Sequence, residues 1–326
     1  MKKSLITCLK IIIPLGIGLY LTWFFISNLS ISEQEDLKNA FVVADYSFIF
    51  YSIIMMLLSH MSRAYRWKYM LKPLGHEPKF WTMYHSVMIG YLINLTIPRS
   101  GEVARAGYYA KFEKRASFDK VFGTIIVERI IDMIMLGLVF GATIYLQKDI
   151  AAFNEIKETG QDKSSMPAWI NYVYCAVGGL MVVGAITLFI SNKLKEKVLV
   201  LIKGVWEGVK TIIKLKQRFA YIGHTLFIWA CYIGMIWVCS FTLPETANLS
   251  VNAVFAAFFV GAVAISATPG GIGLYPLMVS AVLIQLYGIE NAGSFSMLAW
   301  SALTLFTIIL GLFSLVALPF ISNKST

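Results

Sequence analysis

The sequence predicts an all-α polytopic membrane protein, and three observations carry that reading. Of 326 residues, 58% are hydrophobic and 14% charged, less charge than a soluble domain carries. Several apolar runs are long enough to cross a hydrocarbon core of ~30 Å as helix. These runs are continuous rather than alternating, which argues against a β-barrel.

The expected membrane segments are 9–29, 41–62, 81–97, 120–146, 168–191, 219–241, 251–268, 274–288 and 294–318. The first, "KIIIPLGIGLYLTWFFI", is long and no A-x-A site follows it, so it reads as an uncleaved anchor. Nine simple crossings conflict with the charges. Lys and Arg collect on the cytoplasmic side, yet the five basic residues of 63–80 and the six of 98–120 flank segment 81–97 on both sides. A hairpin over 81–111 that enters and leaves by the cytoplasmic side removes the conflict. A second hairpin over 251–288, flanked by "TLPETANLS" and "GIENAG", fits the outer side. The expected architecture is therefore about six spanning helices plus two re-entrant broken-helix hairpins, in one domain covering 1–326. Halves 1–150 and 165–326 share the order span, span, hairpin, span, and read as an inverted repeat. Both termini fall on the cytoplasmic side of the inner membrane.

The two breaks are "IPRSGEVAR" (97–105) and "ATPGGIGLYP" (267–276). Pro98 and Pro269 remove backbone donors, and Gly101, Gly270, Gly271 and Gly273 permit tight turns or close approach. Irregular backbone at membrane depth survives only when buried in protein or lining a wet cavity, so a polar cavity is expected there. Helices restarting after Gly101 and Gly271 would aim N–H groups at an anion. A third element, "GTIIVERIIDMIML" (123–136), places Glu128, Arg129 and Asp132 roughly 12–18 Å along a spanning helix. Charges at that depth face the bundle interior. Two readings stand. One is a neutral structural cluster, Asp132 with Arg129 and Glu128 with Arg105. The other leaves one arginine free for phosphate, which a guanidinium binds through two parallel hydrogen bonds.

Taken together, "PRSGEVAR", "GTIIVERIID" and "TPGGIG" resemble the lysylphosphatidylglycerol synthase transmembrane-region family, also called flippase-like domain proteins, which includes the membrane half of the multiple peptide resistance factor. The resemblance covers nearly the whole chain. It implies a helical bundle with re-entrant elements and a role in moving or handling lipids. By motif, Pro98, Arg99, Gly101, Glu102, Arg105, Glu128, Arg129, Asp132, Pro269, Gly270, Gly271 and Gly273 are the matching positions. One departure is Pro276, where family members often carry a glutamate. Nothing after Thr326 resembles the synthase's soluble half, so lysyl transfer is not expected.

The expected function is a lipid flippase or transporter for an anionic phospholipid or isoprenoid-phosphate lipid. Arg99, Arg105 and Arg129 would bind phosphate and Gly270 and Gly271 would let backbone approach. Glu102, Glu128 and Asp132 would supply counter-charge. A membrane-embedded lipid-modifying enzyme or its accessory subunit is the alternative, and a non-catalytic lipid-binding partner protein the third. No cofactor or metal is expected: there is no Walker loop, CxxC or HExxH. The net charge of +10 is explained by topology, not nucleic acid. Membrane lipid is the expected partner, with a homo-oligomer or a lipid-synthesis enzyme as further candidates. The stretch 193–218 reads either as an amphipathic helix on the cytoplasmic leaflet or as a basic cytoplasmic connector.

Overall fold

The computed structural model describes residues 16–75, 77–97, 99–113, 116–147, 203, 206–289 and 291–323, and among them it contains helices and no strand. In chain order these are α1 (Gly16–Ser27), α2 (Ile31–Val43), α3 (Tyr46–Leu71), α4 (Phe80–Asn94), α5 (Gly101–Phe112) and α6 (Phe118–Gln147). They continue with α7 (206–213), α8 (Arg218–Ser240), α9 (Val251–Ala267), α10 (Leu274–Tyr287) and α11 (Ala292–Asn323). Pro98, the segment 168–191 and most of the loop 147–167 lie outside the described residues, as does the first part of 193–218.

Among the described residues, three stretches are long and apolar enough to cross a membrane: Tyr46–Leu74, Arg218–Ser240 and Ala292–Ile321. Helix α6 adds 30 residues, about 45 Å of helix. The expected hairpins have the lengths re-entrant elements need. Helices α4 and α5 have 15 and 12 residues and α9 and α10 have 17 and 14, all under about 26 Å and short of the ~30 Å core.

Each broken pair packs on itself. A Cβ on Gly101 would collide with the carbonyl oxygen of Gly90, so α4 and α5 approach backbone to backbone. Gly261 of α9 lies against the Tyr275 ring of α10. The longer helices clamp these hairpins. Helix α8 runs antiparallel along α3, joined by Ser52 Oγ donating to Met235 O and by a Ser62–His224 hydrogen bond. Helix α11 lies on α4, with His85 hydrogen-bonded to Ser314. Helix α9 lies on α6, where Thr143 and Gln147 reach the carbonyls of Phe255 and Asn252.

Two sequence readings change. The span expected to end at 62 runs on to Leu71, which brings Arg63 and Arg66 into the helix. They are therefore helical residues and not flanking charges of segment 81–97. Helix α2, a short polar helix, was not foreseen. Its start is a capping box, in which Ser30 Oγ accepts from Glu33 N and Ser30 N donates to Glu33 Oε2. Of the expected surface helix, 206–213 is helical, with Ile212 buried in the bundle and Glu207 paired to Lys210 on the exposed side.

Candidate functional site

Helices α3 and α6 are antiparallel neighbours, and their register creates the site. Trp67 Nε1 donates to Thr124 Oγ1 at 2.8 Å. One turn further in on both helices, Arg63 meets Glu128. Counting along α3 from Leu71 and along α6 from Phe118, both residues lie about 12–15 Å in from the same face.

Glu128 is the centre of the cluster and is almost fully buried, at 1% exposure. Its Oε1 accepts from Arg63 Nη1 at 2.7 Å and from Arg105 Nη1 at 3.1 Å, and its Oε2 from Arg105 Nη2 at 3.0 Å. Arg105 therefore grips it with a two-pronged fork, and Arg66 Nη2 lies 3.1 Å from the same Oε1. Asp132, one turn along, accepts from Arg63 Nη1 at 2.9 Å and Arg66 Nη2 at 3.1 Å. Arg66 also donates to Thr225 Oγ1, and Arg63 to the hydroxyl of Tyr232, which hydrogen-bonds Tyr91. The Arg105 guanidinium lies 3.8 Å over the Trp67 ring, and that of Arg66 lies over Tyr221. Such stacking suits a weakly hydrated planar cation in apolar surroundings.

Arg129 behaves differently. Its side chain is 41% exposed. Its Nε is 3.0 Å from Glu102 Oε1, close enough for an ion pair but without hydrogen-bond alignment. Its Nη1 stands 3.8 Å from Asp132. The Arg129–Asp132 pairing read from the sequence is thus a distant contact, and Asp132 is held mainly by Arg63 and Arg66. Glu102 Oε2 is buried with no hydrogen-bond partner among the described residues.

These groups meet at a narrow cleft lined by Arg63, Tyr91, Asn94, Glu102, Arg105 and Arg129, with Gly90 and Gly101 in its wall. Its free volume is about 10 Å³, room for roughly one water. The Gly101 N–H, at the start of α5, donates to Asn94 Oδ1 at 2.7 Å. A side chain of the preceding helix therefore occupies one of the donors expected to face an anion. Arg99 sits at the tip of the break, exposed, with φ of 62°, a conformation uncommon for a residue with a Cβ. It makes no ion pair among the described residues.

The second break is a tight apolar turn. Gly270, Gly271 and Gly273 have φ of 58°, 79° and 71°. Gly270 O accepts from Trp300 Nε1 at 2.8 Å. Gly273 leaves no room for a Cβ beside the backbone of Gly18 and Thr22. Pro269 is buried in the turn and Pro276 stands in the first turn of α10. The two breaks touch, because Leu95 packs on Gly270, but Gly270 and Gly271 do not line the polar cleft. The structure thus brings together Arg105, Arg129, Glu102, Glu128 and Asp132. It adds Arg63, Arg66, Tyr91 and Asn94, and leaves the glycines of the second break apart.

Long apolar helices, two self-packed broken pairs and a buried ion cluster among α3, α5 and α6 define an integral membrane protein with an intramembrane charged site. The chain belongs to the lysylphosphatidylglycerol synthase transmembrane-region family: the family described as "Lysylphosphatidylglycerol synthase TM region" matches residues 11–311. It is similar to UPF0104 membrane protein PH1989 of Pyrococcus horikoshii, at 26% identity across 90% of this chain and 89% of the relative. It is also similar to UPF0104 membrane protein MJ1595 of Methanocaldococcus jannaschii, at 25% identity across 33% of each chain. No solved structure matches it.

Proposed function

We propose that the protein takes the anionic headgroup of a membrane lipid, a phospholipid or an isoprenoid phosphate, into the cleft at the first break and moves it between leaflets. The observation that carries this reading is the charge of the cluster. Among the described residues, the guanidiniums of Arg63, Arg66, Arg105 and Arg129 face only the carboxylates of Glu102, Glu128 and Asp132. The three buried guanidiniums take up Glu128 and Asp132, and the half-exposed Arg129, beside Glu102 but off hydrogen-bond alignment, keeps its charge at the cleft. An excess cation beside a cleft is the arrangement that an anionic ligand completes.

The family points to lipid-related work in the membrane. The way the helices pair supports movement. Pairing of α4 with α11 of the other half is matched by pairing of α9 with α6, and α3 pairs with its own counterpart α8. For these pairs the pattern is unchanged when the halves are exchanged, as an inverted repeat requires, and such repeats expose a midplane site to either side by rocking. The cleft as it stands must widen to admit a headgroup. An enzyme reading is weaker, because every carboxylate oxygen of Glu128 and Asp132 already accepts a hydrogen bond from an arginine. We place the protein in the inner membrane with both termini cytoplasmic. A second copy of the chain or a lipid-synthesis enzyme is its proposed protein partner.

The test is leaflet exchange of labelled anionic lipid in liposomes containing the full chain. Arg129→Ala should abolish exchange while the protein still inserts, losing about 1.5–3 kcal/mol of charged hydrogen bonding at the arginine that holds phosphate. Normal exchange in that variant, or none in the wild type, would overturn the reading.

A further inference from the structure

We infer that the site selects a headgroup bearing one negative charge, a phosphodiester, over phosphomonoesters and diphosphates. This rests on the lipid-headgroup reading above and narrows it. Two independent features of the cleft lead there. The first is the charge balance. Four guanidiniums against three carboxylates leave a single positive charge among the described residues of the site. A monoanion brings the site to neutrality. A dianion reverses the excess to one negative charge, beside the carboxylate of Glu102.

The second is the supply of free donors. Arg105 has both terminal nitrogens on Glu128. Arg63 and Arg66 use theirs on Glu128, Asp132, Tyr232 and Thr225. Arg129 alone among the four presents terminal nitrogens with no contact shorter than the 3.8 Å to Asp132, and it is the exposed one. One guanidinium edge makes two parallel hydrogen bonds. A phosphodiester has two non-ester oxygens, so one such edge satisfies it. A monoester has three and a diphosphate more, and the surplus oxygens would face Glu102 Oε2, a buried carboxylate oxygen without a hydrogen-bond donor.

Glu102 is therefore a specificity-determining residue: its charge sets the excess at one. Removing that charge raises the excess to two without touching the buried Glu128 core.

The experiment uses the purified full chain, titrated with dioleoyl phosphatidylmethanol, dioleoyl phosphatidic acid, farnesyl diphosphate and dioleoyl phosphatidylcholine. It is run at pH about 8, where a phosphomonoester carries nearly two charges. The wild type should bind phosphatidylmethanol about tenfold or more tightly than the other three, the scale of one charged hydrogen bond. Glu102→Gln should shift the preference to phosphatidic acid. Arg129→Gln should bind phosphatidylmethanol and phosphatidylcholine alike. Arg129→Lys keeps the charge but loses the fork, and should keep the order of preference at lower affinity. Tighter binding of phosphatidic acid or the diphosphate by the wild type would overturn the inference and leave the lipid-headgroup reading standing. So would an unchanged order in Glu102→Gln. Failure of every anionic lipid to outbind phosphatidylcholine would overturn that reading itself.

Discussion

Glu128 shows how one residue can hold an arrangement that is unfavourable in its parts. Three guanidiniums lie within 3.1 Å of its two oxygens, and none of them has another full carboxylate to itself. Without Glu128, Asp132 alone would remain for Arg63, Arg66 and Arg105. Breaking a buried pair from one side costs about 3–5 kcal/mol. Glu128→Ala is therefore expected to lower the melting temperature sharply in detergent. Arg129→Ala should barely move it, since a half-exposed pair contributes about 0–1 kcal/mol. Equal melting shifts in the two variants would show that burial does not divide the cluster into a structural and a ligand-facing part.

At the scale of elements, the α4–α5 hairpin depends on a glycine contact. A methyl on Gly101 would strike the Gly90 carbonyl and the Asn94 side chain, which itself caps α5. Gly107, in the same helix, has nothing within 4 Å of a Cβ. Gly107→Ala should be neutral or stabilising by up to about 1 kcal/mol, the helix propensity difference. Gly101→Ala should destabilise, and because the cleft wall moves with it, lipid exchange should fall as well. Melting and exchange of the two variants side by side would check this.

The turn at the second break calls for a different comparison. Gly271 has φ of 79° and a Cβ there would meet Ile265 and Tyr275 at 3.0 and 3.1 Å. Gly288 has a similar φ of 66° and open space. Alanine at either site carries the left-handed penalty of about 1–2 kcal/mol. Any further melting loss in Gly271→Ala over Gly288→Ala then measures crowding. Gly261, which lies in the straight part of α9, is a poor reference because Tyr275 fills the space over it. A loss of lipid binding beyond what the melting shift explains would tie this turn to the ligand. A loss that only tracks stability would make it a structural corner.

Among the described residues the buried charges gather in one cluster, and its depth makes topology testable. The cluster lies about 12–15 Å from the ends of α3 and α6 that charge assigns to the cytoplasm. Single cysteines at Lys72 and Lys210, in a chain freed of its own cysteines, should label only from inside, and one at Ser32 from outside. Outside labelling of position 72 would reverse the arrangement and place the cleft nearer the outer leaflet.

Much of this protein could be read along the chain. Continuous apolarity determined the class, because a bilayer demands long helices with satisfied backbones. Proline and glycine after short apolar runs determined both breaks, and the observed hairpins fall within a residue or two of the expected ones. The carboxylates Glu128 and Asp132 announced themselves, since acids are rare in such a run. Arg63 and Arg66 did not. Beside Lys68, Lys72 and Lys79 they look like ordinary cytoplasmic flanking charges, and only the antiparallel packing of α3 on α6 supplies the carboxylates that let them be buried. The same packing decided which arginine is left over. Four guanidiniums and three acids are scattered over α3, α5 and α6, and sequence spacing alone cannot divide them into pairs. Geometry gathers Arg63, Arg66 and Arg105 around Glu128, gives Asp132 to Arg63 and Arg66 as well, and leaves Arg129 at the mouth of the cleft.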